Sequence, residues 1–414
     1  MDTFVMRKTK PVAAVLSLCA ILFFVLAAAA YTADVKDDSI TMLKTPPLVT
    51  DSANFKFIVF GDTRTGGDSQ KQTPENVAFA RVRDMVIKDV VSQLADSEVS
   101  RHPQFALFTA DAIWQGSNPV YWNEIKSLIP EDYRTVPGKI FSILGNHELW
   151  QAPDDKDNAE DLFFNTYPNL VQDGKRLHNY AFTIGSNLFV NLCSGGYDEG
   201  QNEDENDQAW NCHAINSYQG LMNSLQNLVK DQYNKNKIDK VFIQYHKPSF
   251  SNYKHKPLGS SNNPYLFLSN LLKNAMKGTG IRIFIFNGHN HTTEFYEPEQ
   301  NIWALVAGGG GAPQAPISTI KSWHKGTDLF WKGVGINNPK KRQRRANYYI
   351  VDVTPGNIQI QEMVLGYINN RNNSSQSGFR FVEGVTINNS GEITPSPAFS
   401  FDSYMSNLGV PAAK

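Results

Sequence analysis

The chain has 414 residues, 39 basic and 40 acidic, with a formal net charge of −1 and 41% hydrophobic residues. That balance excludes a disordered chain and a polytopic membrane protein, and it gives no electrostatic reason to expect nucleic-acid binding. Three cysteines are too few for a disulfide scaffold, while the length allows one large core or two ordinary ones.

Arg7, Lys8 and Lys10 precede an apolar run from Val12 to Ala30 that ends on four alanines. A basic flank, an apolar stretch and small residues ahead of a polar segment read as an export signal. The run is also about long enough to cross a bilayer, so a retained anchor is the alternative. Residues 1–33 are therefore read as signal peptide or membrane anchor. The rest is expected to be exported: periplasmic, secreted or held at the outer face of the membrane, touching it only through that segment. Cys19 departs with a cleaved signal. Cys193 and Cys212 remain, either as a disulfide in an oxidising compartment or as two thiols.

Residues 34–53, with Pro46 and Pro47, read as a linker. Apolar and β-branched runs then predict strands over 55–60, 105–109, 140–144, 180–184, 188–192, 241–245, 281–286, 302–306, 348–353 and 358–364. Helical periodicity is found over 76–94, 217–233 and 263–277. Strands alternating with helices predict an α/β layered domain over 54–366. Beyond Gly366 the sequence turns rich in Asn and Ser, and 367–414 is expected to be a polar, loosely ordered tail.

Five of the strands end alike. Phe57–Phe60 runs into Gly61-Asp62-Thr63-Arg64, and Phe105–Thr109 into Ala110-Asp111. Phe141–Leu144 runs into Gly145-Asn146-His147-Glu148, Val241–Tyr245 into His246, and Ile283–Phe286 into Asn287-Gly288-His289-Asn290-His291. Ligands of open α/β sheets collect beyond the carboxyl ends of the strands. Asp, Asp, Asn-His, His and His-x-His delivered to one edge would make an oxygen- and nitrogen-rich pocket suited to manganese, zinc or iron(II). Glycines at 61, 145 and 288 would let the chain turn sharply there. Any one of these side chains alone reads as a turn residue or a satisfied histidine; five in the same strand-end position do not.

These motifs resemble the calcineurin-like metallophosphoesterase family, whose pattern is D-x-H, G-D, G-N-H-E, a lone H after a strand, and G-H-x-H, in that order. The resemblance covers at least Asp62 to His291. It implies two packed mixed β-sheets flanked by helices, a four-layer α/β sandwich, and a pair of divalent metal ions. By the resemblance, Asp111 bridges both ions, Asp62 and His291 hold the first, and Asn146, His246 and His289 hold the second. His147 assists the leaving group or helps bind the phosphate. Such an ion pair polarises the phosphoryl group, orients it and activates water.

Three positions depart from the pattern. Arg64 stands where D-x-H has its histidine; it stays protonated and cannot ligate, so the first ion loses a ligand. Its guanidinium is expected to clamp a phosphate oxygen instead. Ala110 replaces a glycine, a change expected to matter little. Trp114 stands where purple acid phosphatases carry an iron-ligating tyrosine, which argues against iron–tyrosinate chemistry.

Other features read more plainly. Gly308 to Gly311 lack the Lys-Ser/Thr of a P-loop and predict a tight turn near the site rim. The basic run Lys340 to Arg345 reads as a solvated loop or an attractor for anions, and Trp150, Tyr197 and Tyr253 as rim packing or base-stacking residues. The expected function is an exported, metal-dependent phosphoesterase acting on phosphorylated small molecules: monoesters, diesters or nucleotides. The rivals are a weak single-metal esterase and an exported binding protein that has lost turnover.

Overall fold

A computed structural model describes residues 37–64, 74–95, 102–150, 158–194, 217–249, 277–312, 346–365 and 379–396. The predicted signal or anchor, Cys212, Tyr197, Tyr253, the basic run at 340–345 and most of the helix expected over 263–277 lie outside these residues. Among the described residues no helix is long and apolar enough to cross a membrane.

Sixteen strands are described: β1 (Thr41–Met42), β2 (Phe55–Phe60), β3 (Phe105–Phe108), β4 (Ile140–Ser142), β5 (Val171–Gln172), β6 (Lys175–Arg176), β7 (Tyr180–Ile184), β8 (Asn187–Asn191), β9 (Lys240–Gln244), β10 (Arg282–Asn287), β11 (Thr293–Glu299), β12 (Ile302–Ala307), β13 (Asn347–Val353), β14 (Asn357–Leu365), β15 (Phe379–Asn388) and β16 (Ile393–Ser396). They build two seven-stranded mixed sheets, ordered β1-β7-β8-β9-β10-β12-β11 and β16-β15-β14-β13-β2-β3-β4, plus the small β5-β6 pair. Within them β8, β9, β10 and β12 run parallel, as do β2, β3 and β4. Such strands are covered on both faces, which is why β3 and β12 read as unbroken apolar runs. By contrast, β14 alternates buried and half-buried positions.

The sheets meet through phenylalanines. Phe57 and Phe105 of one sheet stack at 5.2 Å, and Phe189 and Phe242 of the other stack at 4.8 Å. Phe57 meets Phe189 and Phe242 edge-on, both at 5.3 Å. Each buried ring contributes roughly 1.5–3 kcal/mol of burial, with about 0.5–1.5 kcal/mol more per well-set pair. This apolar layer stabilises a molecule that carries a strained polar site at its edge.

Helices close the layers. Tyr218–Asn236 starts at Ser217, whose hydroxyl accepts the Gly220 N–H, and stops at Lys237 in the left-handed conformation. Its buried stripe of Leu221, Leu225 and Val229 joins the common core. The helix Pro74–Ala95 buries Val86, Ile87, Val90 and Leu94 in the same core.

Two expectations are corrected. The region expected to be a loosely ordered tail carries β15 and β16: β15 pairs antiparallel with β14, with a register shift at Glu362–Met363, and β16 pairs with β15. Its Asn- and Ser-rich neighbours masked the alternation Phe379, Phe381, Val385, Ile387. The expected linker contributes β1, whose Thr41 and Met42 pair with Tyr180 and Ala181.

Candidate metal centre

The carboxyl ends of β2, β3 and β4 in one sheet and of β9 and β10 in the other meet at one edge of the sandwich. Asp62, Asp111, His246, His289 and His291 are all buried there. Two groups of donor atoms each lie within 4.8 Å of one another: Asp111, His246 and His289, and Asp62, Asp111 and His291. Asp111 belongs to both.

In the first group, His246 Nε2 lies 3.0 Å from Asp111 Oδ1 and 3.0 Å from Asn146 Oδ1. His289 Nδ1 lies 3.1 Å from the same Asn146 oxygen. His246 is aimed by its other nitrogen, which donates to the Thr109 carbonyl at 2.7 Å, while its backbone N–H donates to Ser194 Oγ. In the second group, His291 Nε2 lies 3.6 Å from Asp62 Oδ1. Both oxygens of Asp62 accept the His289 backbone N–H at 2.9 Å.

The sharp turns fall on unexpected residues. Asp62, Ala110, Asp111 and His289 have φ of 54°, 72°, 54° and 66°, whereas Gly61, Gly145 and Gly288 are not in the left-handed region. Left-handed conformation costs an L-residue roughly 1–2 kcal/mol, so these four together cost a large share of a domain's net stability of about 5–15 kcal/mol. Concentration of such strain at a polar cleft is a mark of a functional site. The glycines are needed for close approach: a Cβ on Gly145 would lie 2.6 Å from Asp111 Oδ1, and one on Gly288 would lie 2.5 Å from Asp62 Oδ2. The change at Ala110 is therefore not a small one, because a strained position has lost its unstrained residue.

Glu148, the last residue of its motif, had no role assigned from sequence. It is buried under the centre and accepts three backbone N–H groups, from Asp111, Ala112 and Gly145. Burial and then the neighbouring Asp111 push its carboxyl up to about 7. Gly308 to Gly311 also have a place: Gly310 N donates to Gly61 O at 3.0 Å and Ala312 N to Asp62 O at 2.9 Å, bracing the Asp62 turn from below.

Arg64 Nε lies 3.5 Å from Asp111 Oδ2 and Nη2 lies 3.3 Å from His291 Nε2. Its guanidinium carbon sits 4.9 Å over the Trp114 ring. Trp114 also contacts His147 at 5.2 Å and Trp150 at 4.9 Å. The His147 Nδ1–H donates to the Trp114 carbonyl at 2.6 Å, leaving Nε2 3.9 Å from Asp111 Oδ2. Burial, with Arg64 adding to it, pushes His147 down to about 3, so the imidazole is neutral at pH 7.

The electrostatics favour a cation. Burial holds Asp62 well above the usual carboxylate range. Burial would raise Asp111 too, but His246, His147 and Arg64 outweigh it and hold that carboxylate well below its usual value. Burial would lower His246, but Asp111 outweighs it and the imidazole rises to about 9. Asp111 Oδ2 is buried and accepts no hydrogen bond among the described residues. A carboxylate oxygen without a hydrogen bond, an amide oxygen and inward imidazoles are donors a divalent ion takes, so the residues around Asp111, Asn146, His246 and His289 fit a divalent metal ion.

A family model for the calcineurin-like phosphoesterases matches residues 55–293. The chain belongs to that family. No curated protein matches it. Solved structures similar to it include a purple acid phosphatase from yellow lupin (Lupinus luteus) seeds, 13% identical, covering 77% of this chain and 52% of that one, with a TM-score of 0.49. A PhoD structure is 9% identical over 86% of this chain and 73% of that one, TM-score 0.48. A dimetal phosphatase from Danio rerio is 12% identical over 75% of this chain and 96% of that one, TM-score 0.45. The chain thus spans about half the length of the lupin enzyme. Family membership accounts for the order of the five strand-end motifs. Cys193 is buried and disulfide-bonded; the expected partner, Cys212, lies outside the described residues.

Proposed function

We propose that this calcineurin-like phosphoesterase is an exported enzyme that hydrolyses phosphate esters of small molecules with the help of divalent metal. The observation that carries the reading is the sharing of Asp111 between two buried donor groups within 4.8 Å. Bound divalent ions supply Lewis-acid polarisation of the phosphoryl oxygens and activation of water. The chain's own residues do the rest. Asp111 and Asp62 provide anionic anchors held by backbone donors, and Asn146, His246 and His289 complete a donor set with Asp111. His147 is fixed in the neutral ring by its Nδ1–H, so Nε2 presents a lone pair to the site and is the nitrogen left to accept a proton or a hydrogen bond beside the phosphoryl group. Trp114 and Trp150 wall that flank with apolar surface, which limits water beside the reacting bond. Export rests on the amino-terminal basic-then-apolar segment.

The test is an assay of chelator-treated protein on chromogenic phosphate mono- and diesters, with and without added manganese or zinc. Turnover that appears with metal and is lost in Asp111→Asn supports the reading. Metal bound tightly with no turnover on any ester would leave a binding protein on the same scaffold. Fractionation of expressing cells, with and without residues 1–33, tests export.

A further inference from the structure

The departure at Arg64 is one of charge. Where the family's first motif carries a ligating histidine, this chain carries a guanidinium, and its position bears on how many ions the centre holds. Arg64 lies against Asp111 Oδ2 and His291 Nε2, on two of the three residues of the Asp62–Asp111–His291 group. A guanidinium offers only donors and keeps its charge at any ordinary pH.

We infer that Arg64 takes the place of the first ion, so that this chain binds a single divalent cation, at Asp111, Asn146, His246 and His289. This rests on the metal-dependent reading above. Three observations carry it. First, the side chain is held where it is: the Arg64 backbone N–H donates to Asp111 O at 3.0 Å, and the guanidinium stacks over Trp114. Only 13% of the side chain is exposed, so withdrawal would uncover a packed contact. Second, a dication among Asp62, Asp111 and His291 would sit beside a permanent positive charge in a buried, weakly screened setting, where like charges repel most strongly. Third, the two groups are unequal. His246 stands 3.0 Å from both Asp111 and Asn146, and His289 stands 3.1 Å from Asn146. That is close to the roughly 3.4 Å separation of neighbouring ligands about 2.1 Å from a tetrahedral ion. The other group offers two carboxylates and one imidazole, and Arg64 already faces two of the three.

In this arrangement one of the two cations that face Asp62 and Asp111 is part of the chain. Trp114 acts as the seat of that charge, which gives a physical reason for an aromatic ring at a position with no ligating atom.

Metal content of the full chain, by mass spectrometry after equilibrium dialysis against micromolar manganese or zinc, tests the inference. One ion per chain is expected in the wild type and two in Arg64→His. His289→Ala should lose the ion, and His291→Ala should keep it. The electron paramagnetic resonance of the manganese-loaded wild type should be an isolated six-line signal, with spin-coupled features appearing only in Arg64→His. The wild-type measurements need no variant to fold. Two ions per wild-type chain, or a coupled spectrum, would overturn the inference and leave the metal-dependent reading intact. No ion in the wild type would overturn both. Loss of the ion in folded His291→Ala with retention in His289→Ala would show that the occupied group is the other one, against the inference.

Discussion

Glu148 grips the loop that carries Asp111: its Oε2 accepts the Asp111 N–H at 3.0 Å, and its Oε1 accepts the next N–H, of Ala112, at 2.7 Å. The same Oε2 reaches Gly145 N at 2.9 Å, so one carboxylate ties together the ends of β3 and β4. Glu148→Gln keeps the volume but turns one acceptor into a donor aimed at backbone N–H groups. A loss of about 1–3 kcal/mol in urea denaturation is expected, with weaker metal binding. Unchanged stability would mean the carboxylate is not the brace.

Gly145→Ala should harm the centre more than the fold. The added methyl would lie 2.6 Å from Asp111 Oδ1 and 2.8 Å from Glu148 Oε2, so both carboxylates must move. A destabilisation of about 1–3 kcal/mol is expected from crowding. Metal affinity, measured by calorimetry, should fall at least tenfold, as expected when a ligand is displaced.

Ala110→Gly is expected to stabilise the protein. Relief of the left-handed conformation is worth about 1–2 kcal/mol, and the extra freedom of glycine in the unfolded chain offsets about 0.5–1 of that. A gain of roughly 0.5–1 kcal/mol should appear as a higher denaturation midpoint with an unchanged slope. A loss would show that the Ala110 methyl contributes more by packing than its backbone costs.

Metal should stabilise the fold because it binds the assembled cleft and not the open chain. At a free concentration of a hundred times Kd the gain is about 2.7 kcal/mol. Chelation should lower the melting temperature by a few degrees, and manganese or zinc should restore it. The Asp111→Asn variant should show little of this response.

Much of the architecture was legible because strands buried on both faces must be apolar throughout. The runs at Phe57–Phe60 and Ile283–Phe286 therefore announced themselves, and the polar residues ending them marked the cleft. Less visible was anything depending on backbone angle or on one long-range contact. Nothing local says that Asp62 and His289, rather than the adjacent glycines, take the left-handed turn. The bond from Glu148 to Ala112 spans two strands. The helix Pro119–Leu128 went unread although Asn118 caps it and Pro119 opens it, because its apolar stripe is short. Strand β11 was hidden by starting two residues after His291 and by containing Pro298.

The cleft draws Asp62, Asp111 and Asn146 from one sheet and His246, His289 and His291 from the other. During synthesis the first three emerge long before the last, so a growing chain has nothing that could capture an ion firmly. Loading must wait until the two slabs have closed on their phenylalanine seam, which makes ion uptake a natural late checkpoint of maturation.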